Sequence, residues 1–171
     1  MEVKVKYGNI VEEEIDVLIS SGNIYLNMSG GVNGEILRIG GQEVQKQLHD
    51  YLKNRGSKYV SPGTVVEVSA GPTKSKAILY AVGINAWYES SSELIDQTLS
   101  TALKMADDMG AKIVALPALG TGYGTLKISD YVVGLKIALK KSYENILEVR
   151  VVLNDRHKAD FVKQELDKEL F

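Results

Sequence analysis

Apolar and polar positions alternate from the start of the chain. Val3, Val5 and Tyr7 are separated by Lys4 and Lys6, the period of two expected of a strand with one wet face. A turn at Gly8-Asn9 leads to a second strand through Ile15, Val17, Leu18 and Ile19. Residues 77–82 and 113–116 are continuously apolar, which predicts strands covered on both faces in the middle of a sheet. Residues 64–69 and 149–153 complete a set of about six strands.

A period near 3.6 fills the intervals. Val44, Leu48, Tyr51 and Leu52 share a face of a helix that ends near Gly56. Ser90 with Glu93 has the spacing of a capping box, and opens a helix carrying Leu94, Thr98, Leu99, Ala102 and Ala106 as far as Gly110. A third helix starts near Ser129-Asp130 and carries Leu135, Ala138 and Leu139. The last runs from about Asp155 through Ala159, Val162, Leu166 and Leu170. Strands alternating with helices predict an α/β fold, a mixed sheet between helical layers. No repeat or linker divides the 171 residues, so the expectation is one domain over 1–171.

Composition narrows the function. The formal charge is -2, with lysine and arginine dispersed, so the basic stripe of a duplex-binding protein is missing. Without cysteine there are no disulfides, thiolate nucleophiles or Cys-type zinc sites, and His49 and His157 lack metal-ligand spacing. No metal or cofactor is expected. No apolar run approaches membrane-spanning length, and a cytoplasmic protein without membrane partners is expected. His49 falls on a polar helix face and His157 in the turn before the last helix; solvation accounts for both. Trp87 and Tyr88 are expected to cover the sheet end. Asp107-Asp108, at a helix C-terminus, is unfavourable for the dipole and has no evident role.

Two segments interrupt the pattern. Ser20-Ser21-Gly22-Asn23 leaves a strand, and Ser29-Gly30-Gly31-Val32-Asn33-Gly34 enters a helix. Ala118-Leu119-Gly120-Thr121-Gly122-Tyr123-Gly124 leaves the strand that ends at Leu116-Pro117. In open α/β sheets ligands collect where strand ends meet helix starts, and successive main-chain N–H groups there attract phosphate oxygens. Neither segment is a P-loop or dinucleotide fingerprint. On pattern alone this is a domain with a phosphate-ester pocket.

Taken in order, these residues resemble a known family. Gly8-Asn9-Ile10, Asp16-Val17-Leu18-Ile19-Ser20-Ser21-Gly22-Asn23, Gly30-Gly31-Val32-Asn33-Gly34, Pro62-Gly63-Thr64, Ile78-Leu79-Tyr80-Ala81-Val82-Gly83 with Trp87 behind it, and Leu116-Pro117-Ala118-Leu119-Gly120-Thr121-Gly122 are similar to the successive motifs of macro domains, over essentially the whole chain. The resemblance implies a three-layer α/β/α macro-domain fold. It also implies binding of ADP-ribose, free or protein-linked, across the crest of the strands. Asn9 and Ile10 would meet the adenine, with Leu153 or Asn154 where the family often stacks a ring. Ser21, Gly22 and Asn23 would lie along the cleft, Asn23 on the distal ribose. Gly30, Gly31 and Val32 would line one side of the diphosphate, with Gly120, Thr121, Gly122, Tyr123 and Gly124 on the other.

Departures from the family bear on chemistry. Its adenine-reading aspartate is Asn9 here, whose uncharged carbonyl is the weaker acceptor and implies looser adenine selection. Ser29 replaces the first glycine of a triple, and the second loop is about one residue short. Some macro domains only bind ADP-ribose; others hydrolyse ADP-ribosyl esters or ADP-ribose-1″-phosphate (Appr-1-p processing). For hydrolysis the candidate residues are Asn23 and Asn33. The hydrolytic branch places an aspartate where Asn33 stands, and an amide cannot act as a general base. What remains is a slower route in which the diphosphate orients water while Asn23 fixes the ribose. The reading is therefore a binder with weak hydrolysis at most. An active hydrolase, or an interaction module with a degraded pocket, are the alternatives.

Overall fold

The computed structural model describes residues 1–168, and Leu170, expected at the end of the last helix, lies outside them. The strands are β1 (Glu2–Tyr7), β2 (Val17–Gly22), β3 (Val65–Ser69), β4 (Ala77–Val82), β5 (Ile113–Leu116) and β6 (Glu148–Leu153). They form one sheet in the order β1-β6-β5-β2-β4-β3. Every pairing is parallel except that of β3 with β4. The helices are α1 (Gly31–Arg38), α2 (Gln42–Asn54), α3 (Ser92–Asp108), α4 (Ile128–Leu139) and α5 (Arg156–Asp167). The fold is the expected three-layer α/β/α sandwich.

The continuous apolar runs serve two cores at once. In β4, Leu79 and Ala81 face the core built by α3, α4 and α5. Ile78, Tyr80 and Val82 face the core built by α1 and α2. Such a strand has no wet face, so it cannot show polar alternation. At the sheet edge β3 does alternate, burying Val66 and Val68 and exposing Glu67 and Ser69.

Four local expectations are corrected. The cap of α3 is Ser91, whose hydroxyl accepts from Leu94 N–H at 3.1 Å, so Ser90 and Glu93 form no capping box. His157 lies within the first turn of α5, not before it, because Asp155 caps that helix by accepting from Lys158 N–H. Trp87 does not cover the sheet end: it is exposed at the tip of a tight turn held by Asn85. Asp107 proves structural. Its buried carboxylate accepts N–H bonds from Glu144, Asn145 and Ile146, tying the α4–β6 connection to α3. Burial pushes the Asp107 pKa up, but those three donors outweigh it and hold the group below its ordinary value. The sequence pattern also passed over a 3₁₀ turn, Ile10–Glu12, capped by Asn9.

Candidate functional site

Five parallel strands end at the same edge of the sheet, and the segments that follow them enclose a cleft of about 950 Å³. Strand order arranges its chemistry. Asn9 and Ile10 follow β1, and Leu153 and Asn154 close β6, forming one end. Gly120, Thr121, Gly122, Tyr123 and Gly124 follow β5 in the middle. Ser21, Gly22 and Asn23 follow β2, with Gly30, Gly31, Val32 and Asn33 at the start of α1. Every residue expected from the sequence to bind the ligand or act on it therefore borders one hollow.

The two glycine segments face each other across it. Gly30 and Gly31 have φ of +57° and +50°, a left-handed pair that turns the chain sharply into α1. A Cβ on Gly30 would overlap the Tyr123 ring, which lies directly against it. Gly30 provides no side-chain cap, and the first N–H groups of α1, those of Gly31, Val32 and Asn33, have no hydrogen-bond acceptor among the described residues. In the other segment the N–H groups of Gly122, Tyr123 and Gly124 likewise have no hydrogen-bond acceptor among the described residues. Main-chain N–H groups without an acceptor, one set of them at a helix N-terminus, are the kind of donor that can take up an anion.

Several side chains are already committed. Asn33 is buried; its Oδ1 accepts from Ser20 Oγ and its Nδ2 donates to the Ser21 carbonyl at 2.7 Å. Asn23 Oδ1 accepts from the N–H groups of Tyr25 and Asn27, and Nδ2 donates to the Asn27 carbonyl at 2.8 Å. One N–H of Asn23 remains for a ligand. Beneath this loop the buried Tyr80 hydroxyl donates to the Asn27 carbonyl at 2.9 Å and accepts from Asn23 N–H. Its ring fills the space over Gly22 that a Cβ would need. Leu153 is itself buried, so it offers the β6 end an apolar wall, not a mobile lid.

The sequence reading missed Glu35, Lys158 and Ile84. Glu35 borders the cleft beside Asn9, accepting from Asn9 Nδ2 at 3.2 Å and pairing with Arg38. Lys158, half-buried in the first turn of α5, donates from Nζ to the Thr121 carbonyl at 3.2 Å and brings a cation to the glycine loop. Ile84 closes the β4 end beside Tyr88, which, unlike Trp87, does stand at the sheet end as expected and has a left-handed φ of +61°. A lone isoleucine in a turn and single charges on helices leave no distinctive spacing by which to find them.

Comparison with known proteins assigns the class. Residues 19–132 match the family model described as "Macro domain", and the chain belongs to that family. It is 32% identical to a macro domain-containing protein of Caldanaerobacter subterraneus subsp. tengcongensis, with 98% of each chain covered. It is 36% identical over 122 residues to an uncharacterized protein of Pyrobaculum aerophilum, covering 71% of this chain and 65% of that one. In fold it resembles a mutant of the Oceanobacillus iheyensis macrodomain with ADPR (TM-score 0.86, 22% identity, 98% and 92% covered).

Proposed function

We propose that the chain binds ADP-ribose, free or as a mono-ADP-ribosyl group on a protein, lengthwise in this cleft. The observation that carries the reading is a pair of glycine segments bordering one hollow, whose N–H groups have no hydrogen-bond acceptor among the described residues. They lie midway between an apolar end at β1 and β6 and a polar end at β2 and β4. A diphosphate would occupy the middle, a base the apolar end, and the distal ribose the Asn23 end. A family structure holding ADPR supports the same ligand class.

The cleft favours binding over hydrolysis. General-base catalysis needs a free base, and both lining carboxylates are occupied. Asp155 caps α5, and Glu35 is paired with Arg38 at the far end from the distal ribose. Asn33 has both polar atoms engaged. Hydrolysis of ADP-ribosyl esters or of ADP-ribose-1″-phosphate would rest on the ligand's own diphosphate orienting a water, and would be slow.

Calorimetry with ADP-ribose, ADP and ribose-5-phosphate tests the reading. Micromolar binding of ADP-ribose, well above either fragment, is expected; no heat at millimolar ADP-ribose would end the proposal. Incubation with a mono-ADP-ribosylated protein separates reader from enzyme by whether free ADP-ribose accumulates.

A further inference from the structure

An asparagine side chain normally presents its oxygen and nitrogen in either order, because a half-turn of the amide exchanges them. At Asn9 the half-turn is blocked on both sides. Oδ1 accepts from Val11 N–H at 3.3 Å, and that group can only donate. Nδ2 donates to Glu35 Oε1 at 3.2 Å, and an ionised carboxylate can only accept. Glu35 is kept ionised by Arg38, whose Nη2 and Nε donate to its two oxygens at 2.6 and 3.0 Å. Arg38 first, and Asn9 after it, hold the Glu35 pKa below its ordinary value. Turned over, the amide would set N–H against N–H and oxygen against carboxylate.

Asn9 borders the cleft beside the buried side chains of Ile10, Val152 and Leu153. After its two internal bonds, one lone pair of Oδ1 and one N–H of Nδ2 remain. An apolar wall beside a fixed acceptor–donor pair suits a flat heterocycle with an amino group next to a ring nitrogen. A phosphate is unsuited to this end, because the Glu35 carboxylate would repel it.

We propose that Glu35 is a specificity-determining positioning residue: by locking the Asn9 amide it makes this end of the cleft accept a 6-aminopurine and refuse a 6-oxopurine. Both pairing edges of adenine offer an amino donor beside a ring-nitrogen acceptor, the complement of the locked amide. A 6-oxopurine offers a carbonyl oxygen where the amino group should be, and an amide free to turn would accommodate it. Glu35 thus restores the selectivity that an uncharged residue at position 9 is expected to lose. The inference rests on the ADP-ribose reading and deepens it.

The test is titration of ADP-ribose and its hypoxanthine counterpart, inosine diphosphate ribose, into the wild type, Glu35→Gln and Glu35→Ala. Thermal unfolding of each variant is followed alongside. The wild type is expected to prefer the adenine ligand by about tenfold or more, and Glu35→Ala to prefer it by no more than about threefold, mainly because the hypoxanthine ligand gains. Glu35→Gln, whose own amide can turn to either order, shifts in the same direction. A merely structural role would weaken both ligands alike and leave their ratio unchanged. Equal binding of the two ligands by the wild type, or a preference that survives Glu35→Ala, overturns the proposal while leaving the cleft's function intact. Failure of the wild type to bind either ligand overturns the ADP-ribose reading itself.

Discussion

The Ser20 hydroxyl donates to the amide oxygen of the buried Asn33, stitching the first turn of α1 to the end of β2. Together with the Asn33–Ser21 bond, it fixes the first turn of α1 against the strand end that borders the cleft. Asn33→Ala leaves the buried Ser20 hydroxyl and the half-buried Ser21 carbonyl unsatisfied and is expected to cost about 1–3 kcal/mol. That lowers the unfolding temperature by roughly 2–4 °C per kcal/mol, and ADP-ribose affinity falls with it. Asn33→Asp sets a carboxylate against the Ser21 carbonyl and is also destabilising, with no gain of ADP-ribosyl release. A melt equal to wild type for both variants would show that these bonds do not hold the turn.

Gly124 tests the second loop. A Cβ there would overlap the main-chain carbonyl of Gly120, a contact no side-chain adjustment relieves. Gly124→Ala is expected to displace Gly122 and Tyr123 and weaken ADP-ribose binding by at least about tenfold, the scale of one lost charge-assisted hydrogen bond. The unfolding temperature should change little, because Thr121 to Gly124 belong to neither core. Calorimetry and a thermal melt on the same variant check both halves.

Lys158 adds a positive charge to a site otherwise built from main-chain N–H groups. Lys158→Ala should reduce ADP-ribose affinity by roughly threefold to tenfold. It should also flatten the salt dependence of binding, because the lysine is the lining group whose attraction ions screen most. Titrations of wild type and variant at low and high salt make the comparison. Parallel salt slopes would place the ammonium away from the ligand's phosphates.

Tyr80 predicts alkaline behaviour. Burial pushes its pKa up to about 12, against about 10 for an exposed tyrosine. Between those values the unfolded chain holds fewer protons than the folded one, so stability falls as pH rises, by about 2–3 kcal/mol from this residue. Tyr80→Phe loses the bond to Asn27 and starts about 1 kcal/mol less stable near neutral pH, yet should lose less on going from about pH 10 to about pH 12. Tyr131, also raised by burial, remains to destabilise both proteins at high pH. Denaturant midpoints measured across that range decide; equal alkaline losses would refute the assignment.

The glycine segments were readable because close main-chain approach excludes side chains, and that exclusion leaves a mark in the sequence. Asn9, Asn23 and Asn33 were readable only through family resemblance, and their actual partners were not. Asn33 looks like a residue offered to the ligand until Ser20 and Ser21 are found occupying it. Glu35 and Lys158 resemble any charge on a solvated helix face. That they reach the cleft depends on how α1 crosses toward Asn9 and where α5 begins. The one-residue error between Ser90 and Ser91 is of the same kind, since adjacent serines differ in capping only through their backbone angles.

The sequence alone determined the period of each element, the two apolar faces of β4, and the glycine segments at strand ends. Each of these is a local property, carried by residues a few positions apart. Tertiary structure decided the order β1-β6-β5-β2-β4-β3, which pairs Tyr7 with Leu153 and brings Asn9 to Glu35 and Gly30 to Tyr123. Main-chain edges of parallel strands are chemically alike, so which strand pairs with which is set by packing across distant segments. The cleft, built from the ends of five strands, is a consequence of that choice.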